Sequence, residues 1–118
     1  MAEGATSGDL GKTSTGIQPN VAGLLSYVLG LITGLIFFLI EKDNKFVKFH
    51  AMQSILGSAA IIVAGIVLAF IPILGVIIRM LLNLAGLVLW IVCMIKAYQG
   101  EWFRIPVIGD IAATQAGV

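Results

Sequence analysis

From Ile55 to Ile78 the chain carries no charged side chain at all. An apolar run of that length matches what crosses a bilayer as a helix, about 20 residues. Another run precedes it, VAGLLSYVLGLITGLIFFLI, from Val21 to Ile40. A third extends from about Gly75 to Tyr98, uncharged between Met80 and Ile95. Between the first two lies a dense polar stretch, EKDNKFVKFHAMQS, Glu41 to Ser54. It holds Lys42, Lys45 and Lys48 of the seven Lys and Arg, and the sole histidine, His50. At 118 residues and 59% hydrophobic, the chain has more apolar side chain than one small core can enclose. Charged residues, 11%, fall below the usual share of about 25%. The pattern predicts an all-α integral membrane helix bundle with three transmembrane helices, four being the alternative, and the lipid bilayer as its solvent.

The chain divides accordingly. Residues 1–20, rich in Gly, Ser and Thr without apolar periodicity, are expected to form a disordered N-terminal tail. Residues 21–104 form the transmembrane helical domain, with Asn20 positioned to cap its first helix. The second helix is expected from near Asn44 to about Phe70, because no proline interrupts Lys45 to Ile71. Pro72 and Gly75 punctuate the next turn. Residues 105–118, broken by Pro106 and Gly109, are expected to lie along the interface as a loose C-terminal tail.

Two helical faces stand out. Ala22, Ser26, Gly30 and Gly34 recur every fourth residue, a stripe that lets another helix approach closely. Either the same chain or another copy can fill it. In the second helix Phe46, Phe49, His50 and Gln53 share one side, while Lys45, Lys48 and Met52 share another, with the lysines reaching for headgroups. Arg79, one turn inside the third span, can snorkel outward. Lys96, Tyr98, Trp102 and Arg104 make a basic and aromatic border of the kind found at the membrane–water interface.

With three spans, the first loop and the C-terminus share a side and hold Lys42, Lys45, Lys48, Lys96 and Arg104. Lys12 and Arg79 fall on the other. The bias places the first loop and the C-terminus in the cytoplasm and the N-terminus outside, in the cell membrane. A bend at Gly30 and Gly34, making the first segment re-entrant, returns the N-terminus to the cytoplasm.

Chemistry is sparse. There is no GxxxxGK[ST] and no HExxH. One histidine and one cysteine, Cys93, far apart, leave no expected metal site, cofactor or disulfide. The formal net charge of +1 gives no reason to expect nucleic acid. His50 is the residue with chemical potential, either as a pH-sensitive latch or as a hydrogen-bonding tie between loop and helix.

The elements FHAMQ (Phe49, His50, Ala51, Gln53) and KAYQGE (Lys96, Ala97, Gly100, Glu101) give the chain a resemblance spanning roughly Asn20 to Asp110. It resembles a family of small, largely uncharacterised prokaryotic membrane proteins related to the chloroplast inner-envelope protein-import component (Tic-twenty-like). The resemblance implies a small bundle of membrane helices, with four spans in the import relatives, and no established reaction. Both motifs fall on one predicted membrane face, so Glu41, His50, Gln53, Lys96, Tyr98 and Glu101 are expected to form one interfacial polar cluster. The functional expectation is a non-catalytic interaction or assembly subunit, self-associating or joined to other membrane proteins. An oligomeric channel or protein-translocation component is the alternative, and a membrane enzyme a distant third.

Overall fold

A computed structural model describes residues 10–118, and those residues contain five α-helices and no strand. They are α1 (Pro19–Val28), α2 (Leu31–Ile40), α3 (Lys45–Leu68), α4 (Ile73–Tyr98) and α5 (Ile108–Ala116). Only α3 and α4, of 24 and 26 residues, are long and apolar enough to cross a membrane. Three spans were expected; two are found.

The difference lies in Val21–Ile40, which is a helical hairpin. Pro19 starts α1 at a position where its missing N–H is harmless. The helix stops at Val28, and Gly30 takes φ 60° and ψ −116°, a conformation glycine adopts without a Cβ clash. The chain then reverses. Asn20, at the start of α1, donates to the Tyr98 carbonyl at the polar end of α4. Gly30 sits against Ser54 and Ser58, about two and a half and three and a half turns along α3, and Glu41 is back beside Lys48. Asn20 therefore ties α1 to α4 and does not cap its own helix.

A reversal at that depth exposes backbone groups that hydrocarbon cannot satisfy. Side chains meet them here. Thr33 Oγ1 donates to the Ser26 carbonyl (3.1 Å) and accepts from Leu29 N (3.2 Å). Ser54 Oγ donates to the Gly30 carbonyl (2.9 Å), and the Trp90 indole N–H donates to that of Tyr27.

α3 begins at Asn44, whose Oδ1 accepts from Val47 N (3.0 Å), and runs uninterrupted to Leu68. The turn to α4 is tight, since a Cβ on Gly75 would lie 2.2 Å from the Leu68 carbonyl oxygen. α4 ends in a left-handed Gly100 (φ 79°), with Glu101 N bonding Lys96 O and Gly100 N bonding Ala97 O. This closure turns residues 101–105 back alongside α3. Instead of a loose tail, residues 108–116 form α5, whose Ala112, Ala113 and Ala116 pack on Phe49.

Burial is concentrated at one end. Phe46, Val47, Phe49, His50, Ala51 and Gln53 of α3 are fully enclosed by α1, α2, α5 and the 101–105 segment. Further along, Ile62, Val63, Ile66, Leu81, Leu84 and Val88 are at least half exposed. The described residues extend 50 Å, against a hydrocarbon thickness of about 30 Å. A packed polar cap thus sits on a two-helix anchor whose outer surface suits lipid.

Candidate functional site

The centre of the cap is a closed set of hydrogen bonds. His50 Nδ1 lies 2.6 Å from the Tyr27 hydroxyl, and His50 Nε2 lies 2.9 Å from the Glu101 carbonyl. A carbonyl only accepts, so Nε2 carries the proton and Nδ1 accepts from Tyr27. The Tyr27 oxygen in turn accepts from Gln53 Nε2 (2.8 Å). That same amide nitrogen donates to the Phe103 carbonyl (2.9 Å), while Gln53 Oε1 accepts from Ile105 N (2.9 Å). Each proton has one place, with the imidazole neutral. Phe46 and Phe49 meet His50 edge-on, at centroid distances of 4.6 and 4.9 Å. Around this network α1, α3 and the 101–105 return are tied together.

A second polar cluster sits at the outer rim. Glu41 is fully buried, and its Oε2 accepts from the backbone amides of Ser14 (2.8 Å), Asn44 (2.9 Å) and Asp43 (3.1 Å). Ser14 Oγ donates to Asp43 Oδ2 and accepts from Lys42 N. Asn44 Nδ2 donates to the carbonyls of Leu10 and Lys12. The segment from Leu10 to Gln18, expected to belong to a disordered tail, is thereby strapped onto the first loop; residues 1–9 of that expectation lie outside the described part. Lys48 Nζ donates to the carbonyls of Phe38 and Glu41 and rests 4.3 Å from the Phe38 ring centroid. It closes the C-terminus of α2, where a cation is favoured.

The six residues expected to cluster therefore separate. His50 and Gln53 share the central network, which meets Glu101 only through its carbonyl. The Glu101 carboxylate pairs with Lys96 at 3.4 Å on the surface. Glu41 belongs to the rim, and Tyr98 is 56% exposed and contributes only its main-chain carbonyl, to Asn20. Tyr27 completes the network and Trp90 holds the Tyr27 main-chain carbonyl; neither was among the expected residues. Their signal was present: a tyrosine or tryptophan deep in an apolar segment needs a partner for its O–H or N–H. The stripe Ala22, Ser26, Gly30 and Gly34 is filled by the chain's own α3. Ala22 packs with Val47 and Ala51, and Gly34 faces the Ala51 carbonyl, Ser54 and Ile55.

Burial pushes the Glu41 carboxyl up, but the amides of Ser14, Asn44 and Asp43 outweigh it and hold its pKa below the ordinary value. A depressed folded pKa stabilises the strap above the unfolded carboxylate range, and that contribution is lost as pH falls through the folded value. Acidification below the ordinary glutamate range is expected to release residues 10–18, read as faster exchange of the Ser14 amide. In Glu41→Gln the share of the release that follows the Glu41 carboxyl is expected to disappear, leaving only what Asp43 contributes through Ser14.

Among the described residues no three His, Cys, Asp or Glu side chains converge as metal ligands would. Cys93 is buried without a disulfide partner, packed with Tyr27 and Ala97.

Comparison with known proteins agrees with a bilayer setting. Over 103 residues the chain is 55% identical to a UPF0132 membrane protein of Methanocaldococcus jannaschii, covering 87% of this chain and 93% of that one. A UPF0132 membrane protein of Archaeoglobus fulgidus is 52% identical, covering 86% of this chain and 98% of its own length. A second M. jannaschii UPF0132 membrane protein is 46% identical, over 82% of this chain and 69% of that one. These matches lend the import relationship no support. No solved structure matches. A model of the magnetosome magnetite crystal formation protein family matches residues 14–112, the cap and both long helices, and the chain is a member of that family.

Proposed function

We propose that this protein is a non-catalytic membrane subunit, a two-helix anchor that holds a rigid polar cap at the cytoplasmic face for assembly with other membrane proteins. The observation that carries the reading is the closure of the cap. His50, Tyr27, Gln53, Ser54 and Trp90 spend their polar atoms on one another and on backbone, leaving no free base or nucleophile in a cleft. At the surface Asp43 meets Ser14, Glu101 meets Lys96 and Asp110 meets Arg104.

The re-entrant hairpin changes the charge count. Lys12, Lys42, Lys45, Lys48, Lys96 and Arg104 all lie at the cap end, and only Arg79 lies toward the opposite one. The bias of six against one supports a cytoplasmic cap, with the strap of residues 10–18 on the same side. Single cysteines introduced at Lys12, Lys42 and Val118 in a Cys93→Ser background are expected to be labelled only from the cytoplasmic side, and one at Phe70 only from outside. Chemical cross-linking in intact membranes, through the cap lysines, tests the assembly role: reproducible cross-linked species support it, and a chain that stays uncross-linked at native abundance removes it.

An oligomeric channel or translocation component is the second reading. The half-depth α1–α2 hairpin favours it, because broken helices in bilayers often border a transport path. Solute flux in proteoliposomes decides that question.

A further inference from the structure

Asn83 sits in α4, ten residues from Ile73 and fifteen from Tyr98. At 1.5 Å per residue those intervals are about 15 and 22 Å, which puts its amide near mid-bilayer. The side chain is exposed, its flanking Met80, Leu84 and Leu87 are also exposed, and it makes no hydrogen bond among the described residues. The cap's own polar groups are out of reach, since Trp90, two turns nearer the cap, is already bonded to Tyr27. A bare amide in hydrocarbon is costly, and headgroups and water do not reach that depth. Something must cover it.

We propose that Asn83 marks the interface of a homodimer in which α4 packs against α4 of a second copy. An amide both donates and accepts, so two Asn83 side chains related by a two-fold axis along the membrane normal meet at equal depth and satisfy each other reciprocally. A lipid offers no such group at mid-bilayer, and a different protein would need an amide or hydroxyl placed at the same level. Arg79, one turn toward the far surface, does not oppose the contact, because its stem lies against Gly65 of α3. The small-residue stripe of α1 and α2 is already occupied by α3, which leaves α4 as the polar-marked free face. The inference rests on the assembly reading and supplies one of its partners.

The test uses the full chain in native-like lipid. Proximity between copies is followed by energy transfer between labelled chains over a range of protein-to-lipid ratios. Wild type is expected to dimerise, with Asn83→Leu weakening the dimer by roughly 5- to 30-fold, the span of about 1–2 kcal/mol for such a bond. Asn83→Gln is expected to retain most of it. Because residue 83 faces outward, thermal stability of the monomer stays close to wild type in both, which separates lost contact from lost fold. A symmetric disulfide from Asn83→Cys in a Cys93→Ser background is the second readout. A monomeric wild type, or a dimer indifferent to Asn83→Leu, overturns the inference. If cross-links to other proteins persist in either case, the assembly reading stands without this interface; if none form, both fall.

Discussion

Gln53→Leu is expected to loosen the cap while leaving the two-helix anchor helical. The substitution keeps the side chain's bulk and removes every polar atom. It strands the Phe103 carbonyl and the Ile105 amide, each held by Gln53 at 2.9 Å, and takes one donor from the Tyr27 hydroxyl, which keeps its bond to His50. Each buried group left unpaired costs about 1–3 kcal/mol, so the two together cost on the order of 2–6 kcal/mol. Hydrogen exchange locates the loss: the Ile105 amide and the α5 amides speed up, whereas the middle of α3 stays protected. His50→Ala belongs to the same class, since it strands Tyr27 and the Glu101 carbonyl. His50→Gln, which keeps a donor and an acceptor, is expected to lose less. Wild-type protection in Gln53→Leu would show that packing of Phe46 and Phe49 alone holds the cap.

The second large effect is expected at Gly34. A Cβ there would stand 2.9 Å from the Ala51 carbonyl oxygen, 3.1 Å from Ser54 Cβ and 3.2 Å from Ile55. The nearest of these is backbone in the middle of α3 and cannot swing aside. Gly34→Val therefore lifts α2 off α3, breaking the contact that lets Ser54 reach the Gly30 carbonyl. Overpacking typically costs about 1–3 kcal/mol, and the unsatisfied tip adds to it. The readout is the position of the hairpin. A cysteine at Ile32, at the tip, is expected to be shielded in wild type and to become reactive toward water-soluble reagent in Gly34→Val. An unchanged labelling rate would mean that the close approach at Gly34 does not seat the hairpin.

Hydropathy located the apolar segments because lipid solvates side chains one residue at a time. The second and third segments came out as helices within a few residues of their expected ends, and Asn44 caps α3 through its own short-range bond to Val47 N. The shared face of Phe46, Phe49, His50 and Gln53 followed from helical periodicity alone, and all four are buried. Those features depend on neighbours within a turn or two.

What tertiary structure alone decided is whether Val21–Ile40 crosses or turns back. Glycine is frequent in membrane helices, so Gly30 by itself permits either outcome. A reversal in hydrocarbon becomes tolerable only when its freed backbone groups find donors and acceptors, and two of these come from Ser54 and Trp90, 24 and 63 residues away from the groups they serve. The same holds for the strap on Glu41 and for α5, whose alanine face is meaningful only beside Phe49. Local composition determined that this chain belongs in a bilayer; satisfaction of backbone polarity by distant side chains determined how many times it crosses.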